Sequence, residues 1–284
     1  MTHYILTLSC ADTRGIVARV TGFLAEHDGF ILESTQFGDP STERFFMRVH
    51  FSTGANTPPF AALNETFSHA VAGPFAMEWT LADASVRPRV LILVSKQLHC
   101  LHDLLHRTRA GGLAMDIPAV ISNHADARGI VEWHGIPFHH VPTDGVAKAQ
   151  VEQTIRDVIA AEHIDLVILA RYMQILSPEL SSELRGRAIN IHHSFLPSFK
   201  GARPYHQAYE RGVKLIGATA HFVTDALDEG PIIDQEVSRV DHSYGPDALA
   251  QMGQDIEALV LARAVKYALE HRLLLNSHKT VVFR

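Results

Sequence analysis

Two stretches in the second half of the chain carry side chains suited to acyl chemistry. Asn190 and His192 stand two residues apart at the end of a predicted strand, so their side chains project from one face. Further on, an acidic turn at residues 225–229 is closed by Gly230. An amide that donates to an oxyanion, an imidazole that carries a proton and a carboxylate base are the groups that acyl transfer needs. We therefore predict that Asn190, His192 and a carboxylate of the acidic turn act together on an acyl group.

The residues around these groups have further interpretations. A carboxylate that serves as a base benefits from a raised pKa, and we expect partial burial beneath the turn to raise the pKa of Asp228. Strand alternation directs His193 away from the face of Asn190, which favours a packing role for this histidine. Among the 19 histidines of the chain, His192 alone is therefore expected to take part in the chemistry.

A metal site is the alternative use of so many histidines. His99, Cys100 and His102 offer ligand atoms near a predicted helix start. Adjacent residues on a helix cannot all face one ion, and the chain has no His-Glu-x-x-His pattern. We expect no metal.

The hydrophobic pattern predicts two domains that would position the polar groups. Residues 4–81 have the order βαββαβ, the ferredoxin-like arrangement, with a helix expected over residues 59–72. From residue 89 onward strands alternate with helices, which is typical of a doubly wound, mostly parallel, Rossmann-like sheet. Such sheets bind ligands beyond the carboxyl ends of their strands, where the Asn-x-His pair falls. The fold class is therefore α/β, with domains predicted at residues 1–85 and 86–284.

The composition excludes several classes of protein. Of 284 residues, 46% are hydrophobic and 20% charged, which fits a globular chain and not a disordered one. The net charge of −6 offers no cationic field for nucleic acid, and no run approaches the roughly 20 apolar residues of a membrane span. Two cysteines, without a signal peptide, predict a reducing, cytoplasmic location.

Both polar stretches resemble the folate-dependent formyltransferases. The resemblance lies in Asn-x-His with Ser-Phe-Leu-Pro at residues 190–197 and in His-Phe-Val-Thr-Asp-x-Leu-Asp-x-Gly-Pro at residues 221–231. It spans the chain from about residue 89 to the C-terminus and implies a catalytic triad of Asn190, His192 and Asp228. It also implies a folate-binding wall, formed by Met173, Gln174, Ile175, Leu176, Val223, Thr224 and Asp225. The folate would be the substrate, and the resemblance implies no further cofactor.

Three features separate the members of this family. Residues 94–100 contain no glycine, so the backbone cradle for a nucleotide phosphate is missing from the pattern. The chain is acidic and ends soon after its last predicted helix, without a basic C-terminal domain. With Ser-Lys-x-x-His-Cys-Leu at residues 95–101, it resembles the formyltetrahydrofolate deformylases. This implies hydrolysis of 10-formyltetrahydrofolate to tetrahydrofolate and formate, which would feed purine and one-carbon metabolism. Transfer of the formyl group to an amine is the alternative.

The third feature is the first domain, which resembles an ACT domain, a small-ligand-binding regulatory fold. Its pattern Asp-x-x-Gly-Ile-Val-Ala starts at Asp12 and includes Arg14 and Gly15, which would bind an amino-acid effector. The same residues also form a good helix-entry turn. One open sheet face and exposed edges predict a homo-oligomer, either a dimer or a tetramer. A catalytically silent folate or amino-acid sensor is a further alternative, which retention of all three polar groups disfavours.

Overall fold

The computed structural model describes residues 1–196 and 204–284. The described residues divide into one compact unit of Met1–Arg87 with Glu270–Arg284 and another of Pro88–Leu269. The division after Arg87 lies near the predicted boundary at residue 85. The C-terminal residues, which the prediction assigned to the second domain, instead belong to the first unit.

The first unit has the order βαββαβ. Its elements are β1 (His3–Ala11), α1 (Ile16–Glu26), β2 (Gly29–Asp39), β3 (Arg44–Thr53), α2 (Phe60–Phe67), a π-helical turn (Ser68–Ala72), a 3-10 turn (Gly73–Phe75) and β4 (Glu78–Asp83). The strands pair antiparallel in the order β2-β3-β1-β4. This is the predicted ferredoxin-like arrangement. The helix expected over residues 59–72 is α-helical only to Phe67 and continues as the π-helical turn.

Helical spacing of apolar residues explains the core of this unit. Val20, Phe23 and Leu24 of α1 are buried, as are Leu63 and Phe67 of α2. The apolar stripe of each helix faces a cluster of buried side chains from β1 and β3. Burying one sheet face beneath both helices stabilises the unit chiefly through the hydrophobic effect.

The second unit alternates strands with helices. Its elements are β5 (Arg89–Val94), α3 (His99–Arg109), β6 (Asp116–Ser122), α4 (Arg128–Trp133), β7 (Phe138–His140), α5 (Lys148–Ala161), β8 (Leu166–Ala170), α6 (Pro178–Glu183), β9 (Ala188–His192), α7 (Pro204–Glu210), β10 (Leu215–Phe222), β11 (Ile232–Arg239) and α8 (Pro246–Leu269). Within the described ranges, no helix is long and apolar enough to cross a membrane.

In the second unit, polar loops follow the carboxyl ends of the parallel strands and so meet at one end of the sheet. The described strands lie in the order β11-β10-β9-β8-β5-β6-β7, with β5 to β9 parallel and β10 and β11 antiparallel to their neighbours. The predicted doubly wound, mostly parallel sheet is confirmed. Chain order reverses between β5 and β8, and a ligand site is expected beyond the carboxyl ends of strands near such a switch point. Ser95, Arg171 and His192 end or follow β5, β8 and β9 there.

The C-terminal hairpin of β12 (Leu273–Asn276) and β13 (Lys279–Val282) completes the first unit. Arg272, just before β12, lies 3.2 Å from Glu33 on β2, and Glu33 also accepts a 2.7 Å hydrogen bond from buried Arg48 on β3. Asn276 donates to Asp39 at 2.6 Å. These contacts bind the hairpin to the sheet through polar groups, which the hydrophobic pattern of two four-residue strands does not reveal.

Candidate active site

Adjacent strands bring the predicted triad together. Asn190 and His192 lie at the C-terminal end of β9. Strand β10 pairs antiparallel with β9, and His221 stands directly opposite Asn190. The chain then turns between β10 and β11 and presents Asp228 toward the same edge. Antiparallel pairing at this end of the sheet therefore joins Asn190 to His221, which is 31 residues away in sequence.

The turn that carries Asp228 requires close backbone packing. Asp228 has φ of 57°, in the left-handed region that aspartate tolerates better than most residues. At Gly230 a Cβ atom would overlap the carbonyl oxygen of Phe222. Glycine at this position allows the turn to fold back against the end of β10, and this fixes the position of the carboxylate.

The four polar side chains form one connected group. Nδ1 of His192 lies 3.3 Å from Oδ2 of Asp228, and Nε2 of His221 lies 3.6 Å from Oδ1. Nδ1 of His221 donates to the carbonyl oxygen of Phe222 at 2.9 Å. Its Nε2 also lies 3.2 Å from Nδ2 of Asn190. Through Nε2, His221 therefore accepts a hydrogen bond from the Asn190 amide, and it approaches Asp228 without a hydrogen bond.

The electrostatics of Asp228 differ from the prediction. Close contacts with the imidazoles of His192 and His221 hold the pKa of the Asp228 carboxyl well below its usual range, and burial, which acts in the opposite direction, does not compensate. The expected raised pKa is wrong because two imidazoles contact the carboxylate. Asp228 is an ionised hydrogen-bond acceptor and a weak base.

Only one nitrogen of His192 is committed within the group. An ionised Asp228 can only accept, so Nδ1 of His192 carries the hydrogen on that side. Nε2 of His192 is buried and has no hydrogen-bond partner among the described residues. That nitrogen is available to a bound molecule.

His193 lies closer to the site than strand alternation predicts. Strand β9 ends at His192, and the rings of His192 and His193 stack with centroids 4.7 Å apart. Burial first, then the charges of Arg171 and His192, lower the pKa of His193 to about 4. His193 is therefore a neutral wall residue at physiological pH.

A cavity of about 280 Å³ opens beside these groups. The predicted folate wall lines it along with the triad, namely Met173, Gln174, Ile175, Leu176, Val223, Thr224 and Asp225. At the rim, Met173, Ile175 and Leu227 are 59%, 62% and 56% exposed. Large apolar side chains left open to water at a cavity rim suit a flat aromatic ligand.

The loop after β8 is anchored at both ends. Oγ of Ser95 accepts a hydrogen bond from the backbone N–H of Met173 at 3.0 Å and donates to Asn123 at 2.7 Å. At the other end, buried Glu152 accepts from both the backbone N–H and the hydroxyl of Ser177 at 2.6 Å. These contacts preform the apolar wall of the cavity before any ligand binds.

The remaining predicted residues lie elsewhere. Asp12, Arg14 and Gly15 belong to the first unit, where Gly15, with φ of 93°, precedes α1. Pro197, the last residue of the Ser-Phe-Leu-Pro stretch, lies outside the described residues.

Of the two histidines named near the start of α3, His99 contacts Glu257. His99, Cys100 and Glu257 bring ligand atoms within 4.8 Å of one another. The guanidinium of Arg171 lies 3.4 Å from the Glu257 carboxylate, and burial raises the pKa of the Cys100 thiol well above its usual value. A cationic side chain already faces the carboxylate and the cysteine stays a thiol, so this arrangement suits an internal ion pair better than a metal.

The sequence analysis assigned no role to His221 or to Glu257. His221 belongs to the His-Phe-Val-Thr-Asp stretch, and its register opposite Asn190 is the signal that would have identified it. The Glu257 cluster joins α8 to residues far away in sequence, and no local pattern indicates it.

Comparisons with known proteins identify the family of this chain. Residues 88–265 match the family described as formyl transferase. A formyltetrahydrofolate deformylase of Corynebacterium sp. strain P-1 is 50% identical over 282 residues, covering 99% of this chain and 98% of that protein. The crystal structure of the formyltetrahydrofolate deformylase from Burkholderia mallei has a TM-score of 0.96 at 52% identity and covers 100% of both chains.

The similarity to a transformylase of the same fold covers less of the chain. The crystal structure of glycinamide ribonucleotide transformylase 1 from Symbiobacterium toebii has a TM-score of 0.65 at 29% identity, covering 70% of this chain and 95% of that one. The similarity to the deformylases therefore covers nearly the whole chain, whereas the similarity to this transformylase covers 70% of it.

Proposed function

The chain belongs to the formyltetrahydrofolate deformylase family, and from this premise we propose that it hydrolyses 10-formyltetrahydrofolate to tetrahydrofolate and formate. The observation that carries the proposal is the 3.3 Å contact between His192 and ionised Asp228, which both line a cavity with apolar walls. The formate would supply purine and one-carbon metabolism. The folate is the substrate, and the proposed reaction uses no other cofactor.

The pterin end of the folate would lie between the two cavity walls. Backbone groups of residues 172–176 and 223–227 can meet the edge of the pterin, while Met173, Ile175 and Leu227 cover its faces. This binding mode puts the formyl group near Asn190 and His192, since both line the same cavity. Burial of the ring against exposed apolar side chains would supply most of the affinity.

The first chemical step is the attack of water on the formyl carbon. Nε2 of neutral His192 accepts the water's proton, while the oxygen attacks and forms a tetrahedral intermediate. The second N–H of the Asn190 amide, which His221 does not use, donates to the developing oxyanion. Asp228 stays ionised and stabilises the imidazolium through Nδ1.

The second step releases the folate. The bond between the formyl carbon and N10 breaks as the His192 imidazolium returns its proton to N10. Tetrahydrofolate and formic acid result, and the acid ionises in water. One water is consumed, the imidazole returns to its neutral form, and no oxidant or reductant is needed.

Incubation of the purified protein with 10-formyltetrahydrofolate alone tests the function. Equal amounts of tetrahydrofolate and formate should appear without any added acceptor. Turnover that depends strictly on an added amine would favour the alternative, a formyltransferase. A protein that binds the folate and turns over neither way would be a sensor.

The first unit would act as an ACT-like regulatory and oligomerisation domain. Its ferredoxin-like topology and the left-handed Gly15 before α1 support an amino-acid effector site at Asp12, Arg14 and Gly15. Thermal shift of the purified protein with the individual amino acids tests this proposal. No shift with any of the twenty would contradict it.

A homo-oligomer, as a dimer or a tetramer, is proposed from the same unit. Strand β2 is an edge strand, and Phe30, Leu32 and Phe37 on it are exposed. Long apolar edge strands favour pairing with another chain. Light scattering at micromolar concentration should give a mass above the 31.4 kDa of one chain.

The free, buried Cys10 and Cys100 fit the cytoplasmic location that we also propose.

A further inference from the structure

Buried Glu257 binds three side chains that arrive from separate parts of the second unit. Its carboxylate accepts from Nε2 of His99 at 2.7 Å and from the hydroxyl of Tyr205 at 2.7 Å. Nε of Arg171 lies 3.4 Å away. The Glu257 side chain is 1% exposed, and an isolated charge in such a place would be very unfavourable. The four side chains, called here the Glu257 cluster, therefore depend on one another.

A glycine on α8 makes room for the Tyr205 ring beside Glu257. One turn before Glu257 on α8, a Cβ atom at Gly253 would overlap the ring of Tyr205. Glycine at this position lets the ring approach the helix closely enough for its hydroxyl to reach the carboxylate. Burial raises the pKa of Glu257, but the hydrogen bond from His99 and the charge of Arg171 outweigh it, so the carboxyl pKa is lowered and the group stays ionised.

One member of the cluster lines the cavity, and a second contacts a residue of its wall. Arg171 lines it directly, and its carbonyl oxygen accepts from the backbone N–H of Ser95 at 3.3 Å. The Tyr205 hydroxyl also lies 3.5 Å from the carbonyl oxygen of His193, whose ring lines the cavity and stacks on His192. The wall formed by Arg171 and His193 is thus held from behind by Glu257.

We propose that Glu257 is a positioning and specificity-determining residue, which holds Arg171 and His193 against the reacting centre so that water is admitted and amines are excluded. A water molecule takes about 30 Å³, whereas an amine acceptor needs room for its carbon skeleton as well. The inference rests on the proposed hydrolysis, since it explains which nucleophile the same site accepts.

Loosening the cluster should therefore admit a small amine. The amine nitrogen would attack the formyl carbon and form the new C–N bond as the bond to N10 breaks. The proton lost by the amine would return to N10 through His192. The products would be a formylated amine and tetrahydrofolate, with no formate.

The experiment measures the ratio of formyl transfer to hydrolysis. Wild type, Glu257→Gln and Tyr205→Phe are each given 10-formyltetrahydrofolate with hydroxylamine or with glycinamide, and formate and formylated amine are quantified. Asp234→Asn is the matched control, because Asp234 is also buried and paired with an arginine, at 2.6 Å, but does not line the cavity. Tyr205→Phe removes only a hydroxyl and keeps the test open if Glu257→Gln does not fold.

We expect the transfer ratio to rise at least tenfold in Glu257→Gln and by a smaller factor in Tyr205→Phe, with KM for the folate little changed. Asp234→Asn should keep the wild-type ratio. An unchanged ratio in both cluster variants, with hydrolysis intact in the wild type, overturns the inference alone. Absence of hydrolysis by the wild type would instead overturn the proposed function.

Discussion

Nδ1 of His192 lies 3.3 Å from Oδ2 of Asp228, and this contact decides which nitrogen of the imidazole can meet a substrate. Because the carboxylate accepts at Nδ1, the buried Nε2 is left without a partner among the residues that the structure describes. A carboxylate behind an imidazole stabilises the cation that forms when Nε2 takes a proton. The pair is therefore suited to moving a proton from water to a leaving nitrogen.

Removing either member should abolish most of the activity. His192→Ala loses the group that accepts the proton, and Asp228→Asn loses the charge that stabilises the imidazolium. We expect each to lower formate release by about 10²-fold or more. Steady-state assays of purified variants with wild-type circular dichroism spectra measure this effect. Near-normal turnover by either folded variant would remove these residues from the mechanism.

The pH dependence of kcat/KM should not report the Asp228 carboxyl at the pH where an ordinary carboxyl titrates. Contacts with His192 and His221 lower the Asp228 pKa, so the carboxylate stays ionised when a free aspartate would take up a proton, near pH 4. The stability and activity that depend on this charge are therefore kept down to a lower pH than a free aspartate allows. Rate profiles of wild type and Asp228→Asn measure the effect. An acidic limb with a midpoint near pH 4 that disappears in Asp228→Asn would contradict the lowered pKa.

Gly230 should tolerate no side chain. In Gly230→Ala the new methyl group would overlap the carbonyl oxygen of Phe222, so the turn must move and displace Asp228. We expect the free energy of unfolding to fall by about 1–3 kcal/mol and kcat to fall at least tenfold.

Gly129→Ala in α4 is the control for Gly230→Ala, because a Cβ atom there meets nothing within 4 Å. That variant should keep full activity and gain a little helix stability. Equal behaviour of the two variants would contradict the close packing at the Asp228 turn.

The apolar rim of the cavity should affect folate binding more than turnover. Leu227→Ala removes a side chain that is 56% exposed at the rim, and burial of such a group by a ligand contributes about 1.5–3 kcal/mol. KM should rise by about tenfold or more while kcat changes little.

Leu215→Ala is the control for the rim variant, since Leu215 on β10 is similarly exposed, at 53%, but does not line the cavity. Michaelis–Menten parameters of both variants decide the matter. A fall in kcat at unchanged KM in Leu227→Ala would argue against a folate-binding rim.

Much of this arrangement is predictable from local sequence. Asn190 and His192 are two residues apart on a strand, so their common face follows from strand geometry alone. The fold class follows similarly from the switch between a βαββαβ order and alternating strands and helices.

The rest depends on contacts that no local pattern encodes. The lowered Asp228 pKa needs His221, which reaches the carboxylate only because β10 pairs antiparallel with β9. Strand alternation predicted the wrong direction for His193 because β9 ends one residue earlier. The C-terminal hairpin joins the first unit through Glu33 and Asp39, more than 230 residues away in sequence.

Arg48 gives a test of how strongly that hairpin contributes to the first unit. Its side chain is 3% exposed, and it donates to Glu33 at 2.7 Å and to the carbonyl oxygen of Glu270 at 3.1 Å. Arg48→Ala leaves Glu33 with Arg272 as its remaining cation and leaves the Glu270 carbonyl without this donor. We expect a loss of about 2–4 kcal/mol in the free energy of unfolding of this unit. Arg44 is the matched control, because its partly buried guanidinium pairs with the exposed carboxylate of Glu78.

Arg44→Ala should cost less than Arg48→Ala, because an ion pair with an exposed partner contributes at most about 1 kcal/mol and Arg44 makes one further hydrogen bond, to the hydroxyl of Ser9. Chemical denaturation followed by circular dichroism compares the two variants. Hydrogen exchange of the amides of β12 and β13 should also accelerate in Arg48→Ala and stay slow in Arg44→Ala, since only the first change breaks a contact at the start of the hairpin. Equal stability of the two variants would show that the polar contacts do not hold the hairpin, and that its apolar side chains do.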